Sequence, residues 1–268
     1  MSEVVQKTVS DGVALLTLNR PERLNAWTGE MEQAYFGLLE ECAASADVRV
    51  IVVTGAGRGF CAGADMQELQ AIGNMQPVGN GALERTPAVH HHRPQTYPLS
   101  IPKPILAAIN GACAGIGLVQ ALMCDLRFAA EGAKLTTAFA RRGLIAEHGI
   151  SWILPRLVGP ARALDLLLSG RVVLAEEARA VGLVNRTLPP ERLLEATLDY
   201  ARELVVNCSP TSMATMKRQV YSDLESGLSD TLAEANRLML ESFTAPDFAE
   251  GVTSFIERRD PRFAPLES

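Results

Sequence analysis

The chain has no excess of positive charge: 25 Lys and Arg face 31 Asp and Glu, for a formal net charge of −6. That balance gives no electrostatic case for nucleic acid or an anionic membrane surface as a partner. Long uninterrupted apolar runs are also missing. The richest stretch, residues 104–130, is broken by Asn110, Gln120 and Asp125, so it reads as a buried strand, helix and strand and not as a membrane span. No N-terminal segment joins a basic start to an apolar core as a signal peptide does. The five cysteines (Cys42, Cys61, Cys113, Cys124, Cys208) are odd in number and widely spaced. They have neither metal-ligand spacing nor the density of a disulfide scaffold, and they predict a reduced, cytoplasmic setting. His90-His91-His92 predicts no metal site, because adjacent residues in regular structure cannot all face one ion and no Asp, Glu or Cys with ligand spacing accompanies them.

At 268 residues the chain can bury a substantial core as one main α/β domain with an appendage. Val4 to Thr8 and Val13 to Leu18 flank Ser10-Asp11-Gly12 and read as a hairpin. Thr28 can cap a helix running to about Ala46, and Asp65 a second, short one. Residues 73–98, with four prolines and little periodicity, read as a loop with one helical piece. From Pro160 the pattern is helical at 160–168 and 175–181, then a strand at 183–187, then helical again at about 190–206, 210–225, 228–243 and 246–258. Pro189-Pro190, Ser209-Pro210 and Ala245-Pro246 punctuate these segments.

The most informative stretch is Gly55 to Asp65, a glycine-rich segment directly after the apolar run Val50-Ile51-Val52-Val53. A second apolar run, Pro104 to Ile109, leads into Asn110-Gly111-Ala112-Cys113-Ala114-Gly115-Ile116-Gly117 and then into the helical pattern Leu118 to Met123. Two strand exits of this kind can supply two free backbone N–H donors to one ligand. Cys61, within the first, reads as a small apolar filler beside a closely approaching backbone and not as a nucleophile.

With Asn19-Arg20-Pro21-Glu22-Arg23-Leu24-Asn25-Ala26 as a first loop and Phe60-Cys61-Ala62-Gly63-Ala64-Asp65 as an oxyanion loop, the chain resembles the crotonase superfamily, the enoyl-CoA hydratase/isomerase family. Ala108-Ile109-Asn110-Gly111, Met123-Cys124-Asp125, Gly143-Leu144-Ile145, Leu154-Pro155-Arg156-Leu157-Val158-Gly159 and Phe255-Ile256-Glu257-Arg258-Arg259 follow in the family's order across nearly the whole chain. The resemblance implies an α/β fold, a crotonase-like spiral of ββα repeats over 1–205, with a C-terminal helical trimerisation region at 206–268. It implies homotrimers, often paired into hexamers, and a coenzyme A thioester as substrate with no permanently bound cofactor. Its oxyanion hole maps to the backbone N–H groups of Ala64 and Ile116, where the family usually has glycine at the second position. Coenzyme contacts map to Arg23, Leu24, Ala26, Ala62, Asp65 and Met66, with Phe255 and Arg258 commonly reaching in from a neighbouring subunit. Gln67 stands where some hydratases carry a coenzyme-contacting lysine.

The acid–base positions depart from the family. Its hydratases use two glutamates, at the places held here by Val119 and Phe139. An apolar side chain transfers no proton, and each positioned acid or base is worth about 100- to 10,000-fold. Glu147 remains, at the place where some enoyl-CoA isomerases carry a single glutamate and related dehalogenases a nucleophilic aspartate. Without the resemblance, Glu147 would read as an anion charging the first turn of the helix that begins near Gly149. Burial near Phe139 and Trp152 would tune Glu147 toward proton transfer, and Val119, Phe139, Leu144, His148 and Trp152 are the expected acyl-pocket residues. The expected reaction is enoyl-CoA isomerisation on Glu147. The alternatives are an atypical hydratase, a non-catalytic acyl-CoA binder, and a hydrolase or dehalogenase with Glu147 as nucleophile.

Overall fold

The computed structural model describes residues 3–73 and 94–266. Most of the 73–98 loop, including His90 to His92, lies outside these residues. Strands β1 (Val5–Ser10) and β2 (Val13–Leu18) form the expected hairpin, pairing Ser10 with Val13 and Val5 with Leu18. Helix α1 (Gly29–Ala44) begins where Thr28 Oγ1 accepts from the Met31 amide at 3.2 Å.

The centre of the chain repeats one unit three times. Strand β3 (Val50–Gly55) leads to β4 (Gly59–Cys61) and helix α2 (Met66–Gly73). Next, β5 (Ile105–Ile109) leads to β6 (Ala112–Ala114) and α3 (Ile116–Met123), and then β7 (Leu126–Ala130) leads to β8 (Lys134–Thr136) and α4 (Ile150–Val158). The first strand of each unit joins one sheet, ordered β1-β2-β3-β5-β7 and closed by β10 (Arg186–Leu188). The second strand of each joins another, ordered β4-β6-β8 and closed by β9 (Val173–Leu174). This is the spiral of ββα repeats. Every residue of β3 and β5 is buried, as continuous apolar runs in a parallel sheet covered on both faces require.

Helix α5 (Pro160–Ser169) and the short α6 (Ala175–Ala180) follow α4, and α7 (Leu193–Asn207) lies across β2, β3, β5 and β7. The strand expected at 183–187 starts later. The amides of Leu183 and Val184 both donate to the Ala178 carbonyl and close α6, which leaves Arg186 to Leu188 for the sheet. Helices α8 (Pro210–Asp223), α9 (Leu228–Ser242) and α10 (Pro246–Glu257) complete the chain. Asp125 pins α8 to the core: one carboxylate oxygen accepts from the Ile105 amide (2.7 Å) and Lys217 Nζ (2.8 Å), the other from the Tyr221 hydroxyl (3.0 Å).

Candidate active site

The glycine-rich segments expected as loops contain the three-residue strands β4 and β6, and these decide where the site forms. Cys61 pairs in parallel with Cys113, so residues three positions beyond each, Ala64 and Ile116, leave the sheet side by side. Close backbone approach requires glycine at two points. A methyl group at Gly111 would come within 2.1 Å of the Arg58 carbonyl oxygen, and one at Gly117 within 2.3 Å of the Cys61 carbonyl oxygen.

Trp27 and Ala64 form a parallel bridge in which the Trp27 amide donates to Gly63 and the Asp65 amide donates to Trp27. That alternation turns the Ala64 N–H the other way, and it donates to no acceptor among the described residues. Ile116 is the first residue of α3, and its N–H likewise lacks a protein acceptor because the first helical bond, Val119 to Gly115, starts a turn later. Two free donors at adjacent strand exits, one at a helix N-terminus, suit a developing oxyanion.

They open on a cavity of about 870 Å³, lined from all three repeats by the segments that follow β4, β6 and β8. Arg23, Ala26, Ala62, Ala64, Asp65, Met66, Gln67, Ile116, Phe139, Leu144, Glu147 and His148 all line it. Backbone strain gathers here: Ala138 and His148, both cavity residues, hold φ of 59° and 58°, which costs a non-glycine residue of order 1–3 kcal/mol. Glu147 lies in the segment that turns into α4. Its side chain is 31% exposed, and its carboxylate caps no helix amide, α4 having Gly149 as its N-cap without a side-chain bond. His148 Nε2 stands 3.6 Å from Glu147 Oε2.

Several expected residues sit elsewhere. Val119 is corrected from pocket to core: α3 is sunk in the protein with all eight residues buried, and only Ile116 at its tip reaches the cavity. Trp152 is also corrected; it stays off the cavity wall, half-buried under the Arg156 guanidinium, 4.2 Å above its ring. Leu24 acts one step back, its carbonyl accepting from the Ala62 amide at 3.0 Å. Phe255, 85% exposed, and Arg258, at the C-terminal end of α10, do not line the cavity of the single chain.

Asp65 lines the cavity but is also an internal anchor. Its carboxylate accepts from the Gln67 amide (3.0 Å), capping α2 as expected, and pairs with Arg20 (3.0 Å). The Gln67 amide and then Arg20 hold its carboxyl below the usual aspartate range. Arg20 and Asn25, which the sequence reading did not single out, fix the first loop. Arg20 donates to the Ala26 carbonyl (2.5 Å), and buried Asn25 accepts from the Arg20 amide and donates to Ala56 and Gly59. Cys61 is fully buried, and burial pushes its thiol up to about 12, which fits the filler role.

Comparison with known proteins gives a consistent result. Residues 8–265 match the family described as enoyl-CoA hydratase/isomerase. The 1,2-epoxyphenylacetyl-CoA isomerase of Escherichia coli is 35% identical over 98% of this chain and 99% of its own length. An enoyl-CoA hydratase of Alternaria alternata is 36% identical over 95% of this chain and 83% of its own. Among solved structures, a probable enoyl-CoA hydratase/isomerase from Mycobacterium abscessus superposes with a TM-score of 0.87 at 32% identity, covering 98% of this chain and 99% of that one. An enoyl-CoA hydratase from Mycobacterium marinum is 48% identical over 84% of this chain and all of its own, with a TM-score of 0.70.

Proposed function

The chain belongs to the enoyl-CoA hydratase/isomerase family, and from that premise we propose that it isomerises an enoyl-CoA thioester with Glu147 as its single acid–base group. The thioester oxygen sits between the Ala64 and Ile116 amides. Glu147 removes a proton from C2 of a 3-enoyl chain, the charge moves onto the oxygen held by the two amides, and the same carboxyl returns the proton to C4. The double bond ends at C2–C3 and no water is consumed. The observation that carries this reading is the pair of unpartnered amides facing one cavity with Glu147. The coenzyme follows Arg23, Ala26, Ala62, Asp65 and Met66 along the cavity mouth, with Phe255 and Arg258 supplied by a neighbouring subunit of a trimer.

A second reading, hydration, is favoured by one observation: the Glu147 side chain is 31% exposed, so water reaches it. The test is to follow 2-enoyl- and 3-enoyl-CoA thioesters by NMR with wild type and Glu147→Gln. Double-bond migration by wild type alone supports isomerisation. Glu147-dependent water addition transfers the reading to hydration, and tight binding without reaction in either protein would leave a carrier.

A further inference from the structure

Besides Glu147, the cavity is lined by three carboxylates that double-bond migration does not use, Glu32, Asp65 and Glu68; Asp65 is held by Arg20 and the Gln67 amide, and Glu68 accepts from the Gly29 amide. Glu32, on α1, lines the same cavity as Glu147. Its Oε2 accepts from Trp27 Nε1 (3.1 Å) and from Gln95 Nε2 (2.6 Å), and Gln95 Oε1 in turn accepts from Gln120 Nε2 (2.6 Å). Every donor in this relay points toward Glu32, so its carboxylate is the terminal acceptor of a polarised chain. Gln120 is 1% exposed, and its Oε1 has no partner among the described residues.

The relay's location sets its use. Trp27 is the residue bridged to Ala64, and Gln120 lies on α3 one turn beyond Ile116, so the two ends of the relay are tied to the two oxyanion donors. Thr96, beside Gln95, abuts Gly149, two residues past Glu147. The network therefore holds Glu32 at a fixed place relative to where the thioester carbonyl binds, with Oε1 committed to no protein donor among the described residues. Covering that oxygen with a plain alkyl chain strips its water and returns no hydrogen bond, whereas a chain carrying a donor replaces what was lost.

We infer that Glu32 is a specificity-determining residue that selects acyl-CoA substrates whose acyl group carries a hydrogen-bond donor, a hydroxyl being the neutral case, over plain alkyl chains of the same length. The inference rests on the acyl-CoA reading above but not on the role of Glu147. Its test is calorimetric binding of saturated, unreactive thioesters, a series of ω-hydroxyacyl-CoAs against their methyl-ended counterparts, to wild type, Glu32→Gln and Glu32→Leu, with coenzyme A alone as reference. At one chain length wild type binds the hydroxylated thioester at least about tenfold more tightly. Glu32→Leu loses or reverses that preference while its affinity for coenzyme A is kept. Glu32→Gln, which keeps the shape and one acceptor, retains only part of it. Equal affinity for both series at every length, or a preference that survives both substitutions, overturns the assignment of Glu32 and leaves the acyl-CoA reading standing. No binding of any thioester overturns both.

Discussion

Cys61 on β4 stands opposite Cys113 on β6, and the amides of Ala64 and Ile116 each lie three residues beyond one member of this pair. The register of this short parallel ladder, Gly59 with Ala112 and, after an irregularity, Cys61 with Cys113, thus sets the spacing of the two donors. Shifting it would separate them, and the close approach of Gly117 to buried Cys61 ties the start of α3 to β4.

Ile116→Pro isolates the contribution of one donor. Position 116 is the first residue of α3, where proline fits the helix and no intrahelical hydrogen bond is lost; the N–H goes together with the Ile side chain, and Gly115 before it has no Cβ to clash with the ring. Turnover is expected to fall about 100- to 1000-fold with the circular dichroism spectrum preserved. Ile116→Val, which keeps the N–H, should stay within a few-fold of wild type in the same steady-state assay. Equal activity in the proline variant would remove Ile116 from the oxyanion hole.

Asp65 predicts an acid limit. Its folded-state pKa is depressed, so the stability it contributes is fully present above the unfolded value of about 3.9 and is lost as pH falls below that toward the folded value. Thermal melts of wild type and Asp65→Asn should therefore differ by a constant amount above about pH 5 and converge below about pH 4. A gap that widens with acid would mean that the Arg20 and Gln67 contacts do not favour the charged form.

Thiol chemistry should be silent at the site. Cys42, Cys61, Cys113 and Cys124 are buried, and burial raises the thiols of all four, Cys124 like Cys61 to about 12. In the native protein iodoacetamide at pH 8 should label at most the half-buried Cys208 and leave turnover unchanged, while all five label in guanidinium. Mass spectrometry reads the sites directly. Labelling of Cys61 with loss of turnover would overturn its role as filler.

Much of this architecture was legible in the sequence, for physical reasons that also mark where legibility stopped. Val50 to Val53 and Ile105 to Ile109 are continuous apolar runs that only a strand buried on both faces uses well, and Thr28, Pro210 and Pro246 mark helix starts by local chemistry. Strands β4 and β6 left no such trace, because three residues of Gly, Ala, Cys or Phe show no period and look like loop. Glu147 could be read from its place in a motif. Glu32, Gln95 and Gln120 could not, since they meet across 63 and 25 residues of chain with no local signal. Val119 was misplaced because motif position says which residue follows a donor but not how deep the helix sinks.

The C-terminal helices carry the last prediction. On α10, Phe248, Val252, Phe255 and Ile256 are exposed, and on α9 Leu228, Leu232, Met239 and Leu240 are too. Exposed apolar side chains on two successive helices are what subunit association would cover, and a trimer is the expected arrangement. Sedimentation should give a trimer or a pair of trimers for wild type. Phe255→Asp, which buries a charge at the contact, should shift the protein toward monomer without unfolding it, because Phe255 is 85% exposed in the single chain and packs no core. If Arg258 reaches the coenzyme from a neighbour, affinity for coenzyme A falls together with assembly, and Arg258→Ala alone weakens binding while leaving the trimer intact. A wild-type monomer that binds coenzyme A with the same affinity as Phe255→Asp would place the whole site within one chain.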